Sequence, residues 1–166
     1  MQNHYAQISY HADWTLQLAH DLNAAKYDIH ISALSMHTPN RALGTHLARV
    51  VQAMLDAPTR GVMVHVYLPA ASQSHPATLK NNSTAERLHA NNIHAHLIPL
   101  PNLLHAKQCA IDDTIGWCGS GNWTQAAAVH NTEAYLRAES TDIAQEIRQA
   151  MQALCWQKNK TTPVPA

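Results

Sequence analysis

Nothing in the 166-residue chain approaches the ~20 consecutive apolar residues that a membrane-spanning helix needs. The opening MQNHYAQISYHADW lacks the basic start and apolar stretch of a secretory signal, so a cytoplasmic location is the expectation for the sequence as it stands. Cysteine is scarce. Cys109, Cys118 and Cys155 are odd in number and none stands in C-x2-C spacing, so no disulfide framework is expected and the three are read as buried free thiols. An excess of charge is missing too. Lys plus Arg and Asp plus Glu each total 11, so no strong basic field advertises a nucleic-acid partner. What the chain has instead is 13 histidines. With an ordinary pKa of about 6.5 they make the surface cationic in mild acid.

A length of 166 residues with 46% hydrophobic and 13% charged residues fits one globular domain, taken as residues 1–157, followed by a tail over 158–166. The pattern predicts a short strand at 6–9, a loosely amphipathic helix at 14–26 and a buried strand in YDIHISALSM ending near Met36. ALGTHLARVVQAMLDA then reads as a helix and GVMVHVYL as a strand. A polar stretch over 69–82 follows, solvated or able to close over a substrate. Ser83 stands three residues before Glu86 in capping-box register, predicting a helix from Ser83 or Thr84 to about Ala90. IHAHLIPL predicts a strand. Two more, at 106–111 and 115–118, are joined by a tight Asp112-Asp113-Thr114 connection, and a short helix (TQAAAVH), a last strand (EAYLRA) and a closing helix capped at Thr141 complete the chain. The order implies an α/β fold, a mixed sheet flanked by helices on both faces. No internal repeat is present.

The richest chemistry lies in LLHAKQCAIDDTIGWCGSGNWTQAAAVHNTE. His105 and Lys107 are two apart on an expected strand, so an imidazole and an ammonium share one face and can meet one phosphate. Gly119 lets the backbone turn closely beside that phosphate, and Ser120 and Asn122 offer hydroxyl and amide donors to its oxygens. Such donors act most strongly where charge builds on phosphorus in the transition state. Lys107 supplies the positive charge that a metal ion supplies elsewhere, so no metal and no cofactor are expected.

His105, Lys107, Asp112, Gly119, Ser120 and Asn122 stand in the order H-x-K-x4-D-x6-G-S-x-N. This combination resembles the HKD signature of the phospholipase D superfamily, over about residues 6–156, and looks most similar to the small single-motif bacterial endonucleases of that group. The resemblance implies covalent catalysis, in which a neutral imidazole attacks phosphorus and a second, protonated histidine opposite serves the leaving oxygen. The chain carries a single H-x-K, so a homodimer is expected to supply the second histidine. The resemblance also assigns Glu133 to orient His105 and gives Asp112 an organising role rather than a proton-transfer role. Nucleic acid is the expected substrate. Phospholipid, for a phospholipase D or phosphatidyltransferase, is the alternative, and an idle dimeric binding module is the third reading.

Other features carry plainer readings beside their sharper ones. His94 and His96 share a strand face and offer a metal pair, but no third ligand stands at usable spacing, so exposed strand histidines are the expectation. Gly119-Ser120-Gly121 lacks the G-x-G-x-x-G of a dinucleotide loop. Trp117 and Trp123 bracket that loop as core or site-wall residues, or as platforms for a stacked base.

Overall fold

The computed structural model describes residues 5–10, 13–38, 45–99 and 103–160. In chain order the elements are β1 (Tyr5–Tyr10), α1 (Asp13–Ala24), β2 (Asp28–Ser32), α2 (His46–Asp56), β3 (Met63–Pro69) and α3 (Asn81–His89). They continue with β4 (His94–Ile98), β5 (Gln108–Ile111), β6 (Ile115–Gly119), α4 (Gln125–Val129), β7 (Ala134–Glu139) and α5 (Thr141–Lys160). The strands form one seven-stranded sheet in the order β1-β7-β6-β5-β2-β3-β4. β2, β3 and β4 are parallel, joined through α2 and α3, and the other pairings are antiparallel. This is the mixed α/β sheet that the alternation of strands and helices predicts.

Side chains alternate across each strand, which sorts the core onto two faces. Ile29, Ile31, Val64, Val66, Cys109, Ile111 and Trp117 pack on one face against Trp14, Leu18 and Leu22 of α1 and Leu47, Val50 and Met54 of α2. Tyr67, Ala110 and Cys118 lie on the other, under Ile147, Met151 and Leu154 of α5. The larger core encloses a charged pair: Asp21 is 2% and Arg137 is 6% exposed. Asp21 Oδ2 accepts from Arg137 Nε at 2.7 Å and Trp117 Nε1 at 2.9 Å, and its Oδ1 accepts from Arg137 Nη2 at 3.1 Å. All three cysteines are free thiols.

Several boundaries differ from the sequence reading. β2 ends at Ser32, and Met36 instead makes a lone bridge to Trp123. α3 begins at Asn81 rather than at Ser83 or Thr84, because the buried Asn81 amide donates to the carbonyls of Leu34 and Pro69, both at 2.9 Å, while the Ser83 hydroxyl donates to the Lys80 carbonyl. The 69–82 stretch is tied internally, with Ser72 N donating to Thr78 Oγ1 at 3.0 Å and Thr78 buried. At the C-terminus α5 continues to Lys160, past the expected start of the tail at 158, and residues 161–166 lie outside the described residues.

On the α5 face, His30, His65 and His94 stand in register across β2, β3 and β4, with Tyr67 and His96 as the next rung. The rings stack, His30 on His65 at 4.7 Å and His65 on His94 at 4.9 Å between centroids. His65 and His96 nitrogens meet at 3.1 Å, and His30 Nδ1 meets the Tyr67 hydroxyl at 3.1 Å. The imidazoles are stacked rather than convergent, and no group of three side chains suited to a metal occurs among the described residues. Asp28 and Arg148 border His30, and Cys155 borders Tyr67. Burial, with His65, Arg148 and His96 beside it, holds the His30 pKa down to about 3 from an ordinary 6.5, and burial with His94 lowers that of His65, Asp28 opposing. The unfolded chain therefore binds protons that the folded chain refuses. Stability should fall as pH drops from about 6.5 toward 3, by up to about 1.4 kcal/mol per pH unit for His30 alone. Urea unfolding across that range should show the loss, and His30→Gln should flatten it; a wild-type stability constant across the window would contradict this account.

Candidate active site

The motif residues converge at the edge where β5 begins, β6 ends and β7 begins. Gly119 N donates to the Lys107 carbonyl at 2.9 Å, Gly119 stands opposite Tyr135, and Ser120 N donates to the Ala134 carbonyl at 3.1 Å. The ladder of β5 starts at Gln108, so His105 and Lys107 lie just ahead of the strand rather than on it as expected. Their side chains still meet. Lys107 Nζ lies 2.9 Å from His105 Nδ1 and 3.2 Å from Nε2, and it donates to the His105 carbonyl at 2.7 Å. An ammonium can bond a ring nitrogen only through that nitrogen's free lone pair, the same lone pair a nucleophile uses. His105 is exposed, whereas Lys107 is only 7% exposed. Burial lowers the Lys107 pKa, and the nearby Glu133 carboxylate opposes that shift.

The Gly-Ser-Gly-Asn loop is braced from three sides. Asn122 Oδ1 accepts from Ser35 N at 3.3 Å, which leaves the amide nitrogen as a donor. Trp123 N donates to the Ser35 carbonyl at 3.2 Å and His37 N to the Trp123 carbonyl at 2.7 Å, so the segment after β2 is stitched to the loop. Thr84 of α3 in turn holds the Met36 carbonyl at 3.0 Å. Ser120 differs from expectation. Its one hydroxyl hydrogen goes to Glu133 Oε2 in a very short bond, and its oxygen accepts from Ala134 N at 3.2 Å. It braces the loop instead of presenting a free donor.

Glu133, 8% exposed, spends its second oxygen on Asn131 Nδ2 at 2.9 Å. Within one chain it therefore holds Ser120 and balances Lys107, rather than gripping the His105 ring. Asp112 is placed elsewhere. It lies at the far end of β5, where Asp112 and Asp113 take positive φ angles of 51° and 53° and Thr114 N bonds the Ile111 carbonyl at 3.0 Å, a type I′ hairpin turn. The Asp112 carboxylate accepts from the backbone N–H groups of Lys26 (2.7 Å), Tyr27 (2.8 Å) and Asp28 (3.0 Å). What it organises is the link from α1 to β2.

Sequence reasoning missed Tyr135. Its ring lies where a Cβ on Gly119 would be, 2.2 Å from Cδ1, and its hydroxyl donates to the Gly121 carbonyl in a very short bond. The glycine at 119 is demanded by this ring, not only by an approaching ligand. Tyr135 also stacks on Trp14 at 4.4 Å, tying the loop to the main core. Its position two residues after Glu133, opposite Gly119 on β7, was the available signal. Trp117 and Trp123 are 1% and 2% exposed, which makes them core residues and not stacking platforms.

Fold and site together define a phospholipase D-like protein, and the chain belongs to that family: the family model described as cardiolipin synthase, PLD-like domain, matches residues 18–156. Among solved structures, the chain is similar to Nuc from Salmonella typhimurium, a phospholipase D family member, with a TM-score of 0.75 and 19% identity over 93% of this chain and 95% of that one. NucT from Helicobacter pylori superposes with a TM-score of 0.70 and 16% identity over 92% and 96% of the two chains. Polyphosphate kinase from Porphyromonas gingivalis gives 0.65 and 17% identity over 99% of this chain but 27% of its own. None of the curated proteins matches the sequence. No helix among the described residues is long and apolar enough to cross a membrane.

Proposed function

We propose that the protein is a metal-independent phosphodiesterase, a nuclease whose active site is shared by two copies of the chain, each contributing residues 1–157 as one catalytic domain. The observation that carries this reading is the meeting of His105 and Lys107, with the Gly-Ser-Gly-Asn loop bonded to Lys107 through Gly119, on a surface where the imidazole stands exposed. A phosphate entering there would compete for the Lys107 ammonium and accept from Asn122 Nδ2, which releases the His105 lone pair.

The steps follow from that geometry. A His105 nitrogen forms a bond to phosphorus as the bond to the leaving oxygen breaks, and that oxygen takes a proton from His105 of the partner subunit. Water then adds to phosphorus, the nitrogen–phosphorus bond breaks, and the water proton passes to the same partner histidine, now its base. Lys107 neutralises the charge that builds on the phosphoryl oxygens, the task a divalent cation performs in other phosphoryl-transfer sites. Glu133 is a positioning residue: it holds Ser120 and opposes the fall that burial imposes on the Lys107 pKa. Asp112 acts at a distance, through the α1–β2 link.

One side-by-side assay tests this. Single-stranded DNA, duplex DNA, RNA, a chromogenic phosphodiester and phosphatidylcholine are offered with chelator present. The expected result is cleavage of a polynucleotide and of the chromogenic diester at rates the chelator leaves within about twofold. Activity that vanishes with chelator and returns with Zn²⁺ or Mg²⁺ would overturn the metal-free mechanism, and turnover of the phospholipid alone would replace the nuclease with a lipid-acting enzyme.

A further inference from the structure

Next to the phosphate loop lies a cavity of about 560 Å³ that the chemistry above does not use. Lys80 at the N-cap of α3 and Arg87 within the helix, seven residues apart, line it. His37 lines it from the segment after β2, with Thr38 beside it, and Gln125 adds an amide. Among the described residues no carboxylate lines the cavity, although the whole chain carries as many acids as bases, 11 of each. Positive charge is thus concentrated here locally. Burial and the Lys80 ammonium hold the His37 pKa below its ordinary value.

The cavity and the phosphate loop share a backbone. Gln125 follows Asn122 by three residues, at most about 11 Å of chain. His37 N is bonded to the Trp123 carbonyl at 2.7 Å, so neither wall moves far without the other. A lysine and an arginine in the lining offer a phosphate a point charge and a planar fork of donors.

We propose that this cavity is a second phosphate subsite, taking a backbone phosphate of a single-stranded polynucleotide whose scissile phosphate lies at His105 and Lys107. The assignment rests on the nuclease reading, and it explains how a chain with no net charge holds a polyanion: the positive charge is gathered at two places along one path instead of being spread over the surface. Lys80 and Arg87 are both exposed, so replacing them should leave the fold intact.

The test is a binding titration by fluorescence anisotropy, with a labelled single-stranded oligonucleotide and the His105→Ala protein, which binds without cleaving. Adding Lys80→Gln and Arg87→Gln together should weaken binding about tenfold at low salt. It should also reduce the slope of log affinity against log salt by about 0.7, the contribution of the one single-strand phosphate the subsite neutralises. Lys26→Gln, which removes an exposed cation away from the cavity, should leave the slope unchanged. An unmoved slope in the double variant, or an equal drop with Lys26→Gln, overturns the subsite while wild-type cleavage of the oligonucleotide leaves the nuclease reading standing. If the His105→Ala parent binds no oligonucleotide at low salt while the wild type still hydrolyses the chromogenic diester, the polynucleotide reading falls and the subsite with it.

Discussion

A His105→Ala substitution is expected to lower turnover by on the order of 10⁴-fold, because it removes the imidazole that meets Lys107. The more telling result concerns mixtures. If each site needs one histidine as nucleophile and the partner's as acid, a heterodimer of wild-type and variant subunits has no complete site. At equal amounts with random exchange, activity per total protein should fall to about one quarter, the binomial share of intact dimers, and not to one half. The measurement is an activity curve against wild-type fraction after subunit exchange, with sedimentation to establish the assembly state. A straight line through that curve, or full turnover by a strict monomer, would mean that each chain works alone.

The second large effect is on stability. Asp21→Ala should cost about 3–5 kcal/mol, since it strands the Arg137 guanidinium and the Trp117 indole N–H inside the larger core without their shared acceptor. For a chain of this length that corresponds to a fall of about 10 °C in Tm. Replacing both partners, Asp21→Leu with Arg137→Met, should recover most of the loss, because the penalty comes from the uncompensated charge and not from the absence of the pair. Chemical denaturation of the three proteins decides it. A cost below about 1 kcal/mol for Asp21→Ala would show that Arg137 finds other support, with Glu139 at 2.7 Å the first candidate.

The sheet was legible in the sequence because strand alternation is a local pattern: Ile29 and Ile31, or Val64 and Val66, announce their face within a few residues. So was the motif, whose residue types at fixed spacing exceed what packing alone demands. The long-range partners were not. Nothing near Asp112 in the chain indicates that its carboxylate will hold the N–H groups of residues 26–28. Ser120 looked like a donor to substrate because hydroxyls usually are, yet Glu133, thirteen residues on, takes its hydrogen. The capping-box pattern at Ser83 lost to Asn81, whose two tertiary hydrogen bonds start α3 earlier than local pairing does. In each case a contact across the fold outweighed a local preference.

The spacing inside the motif takes on a mechanical sense once the strand is seen. The four residues between Lys107 and Asp112 are Gln108, Cys109, Ala110 and Ile111, which is β5 itself. The lysine stands at one end of the strand and the aspartate at the other, so the interval works as a ruler laid across the sheet. One residue more or fewer would do more than displace the ammonium. Because side chains alternate with a period of two, it would turn Cys109 and Ile111 out of the main core, or else carry the aspartate away from the backbone it clasps. A constraint that looks like chemistry in the one-dimensional sequence is here also a measurement of length, with the lysine end held to register by the anchored one.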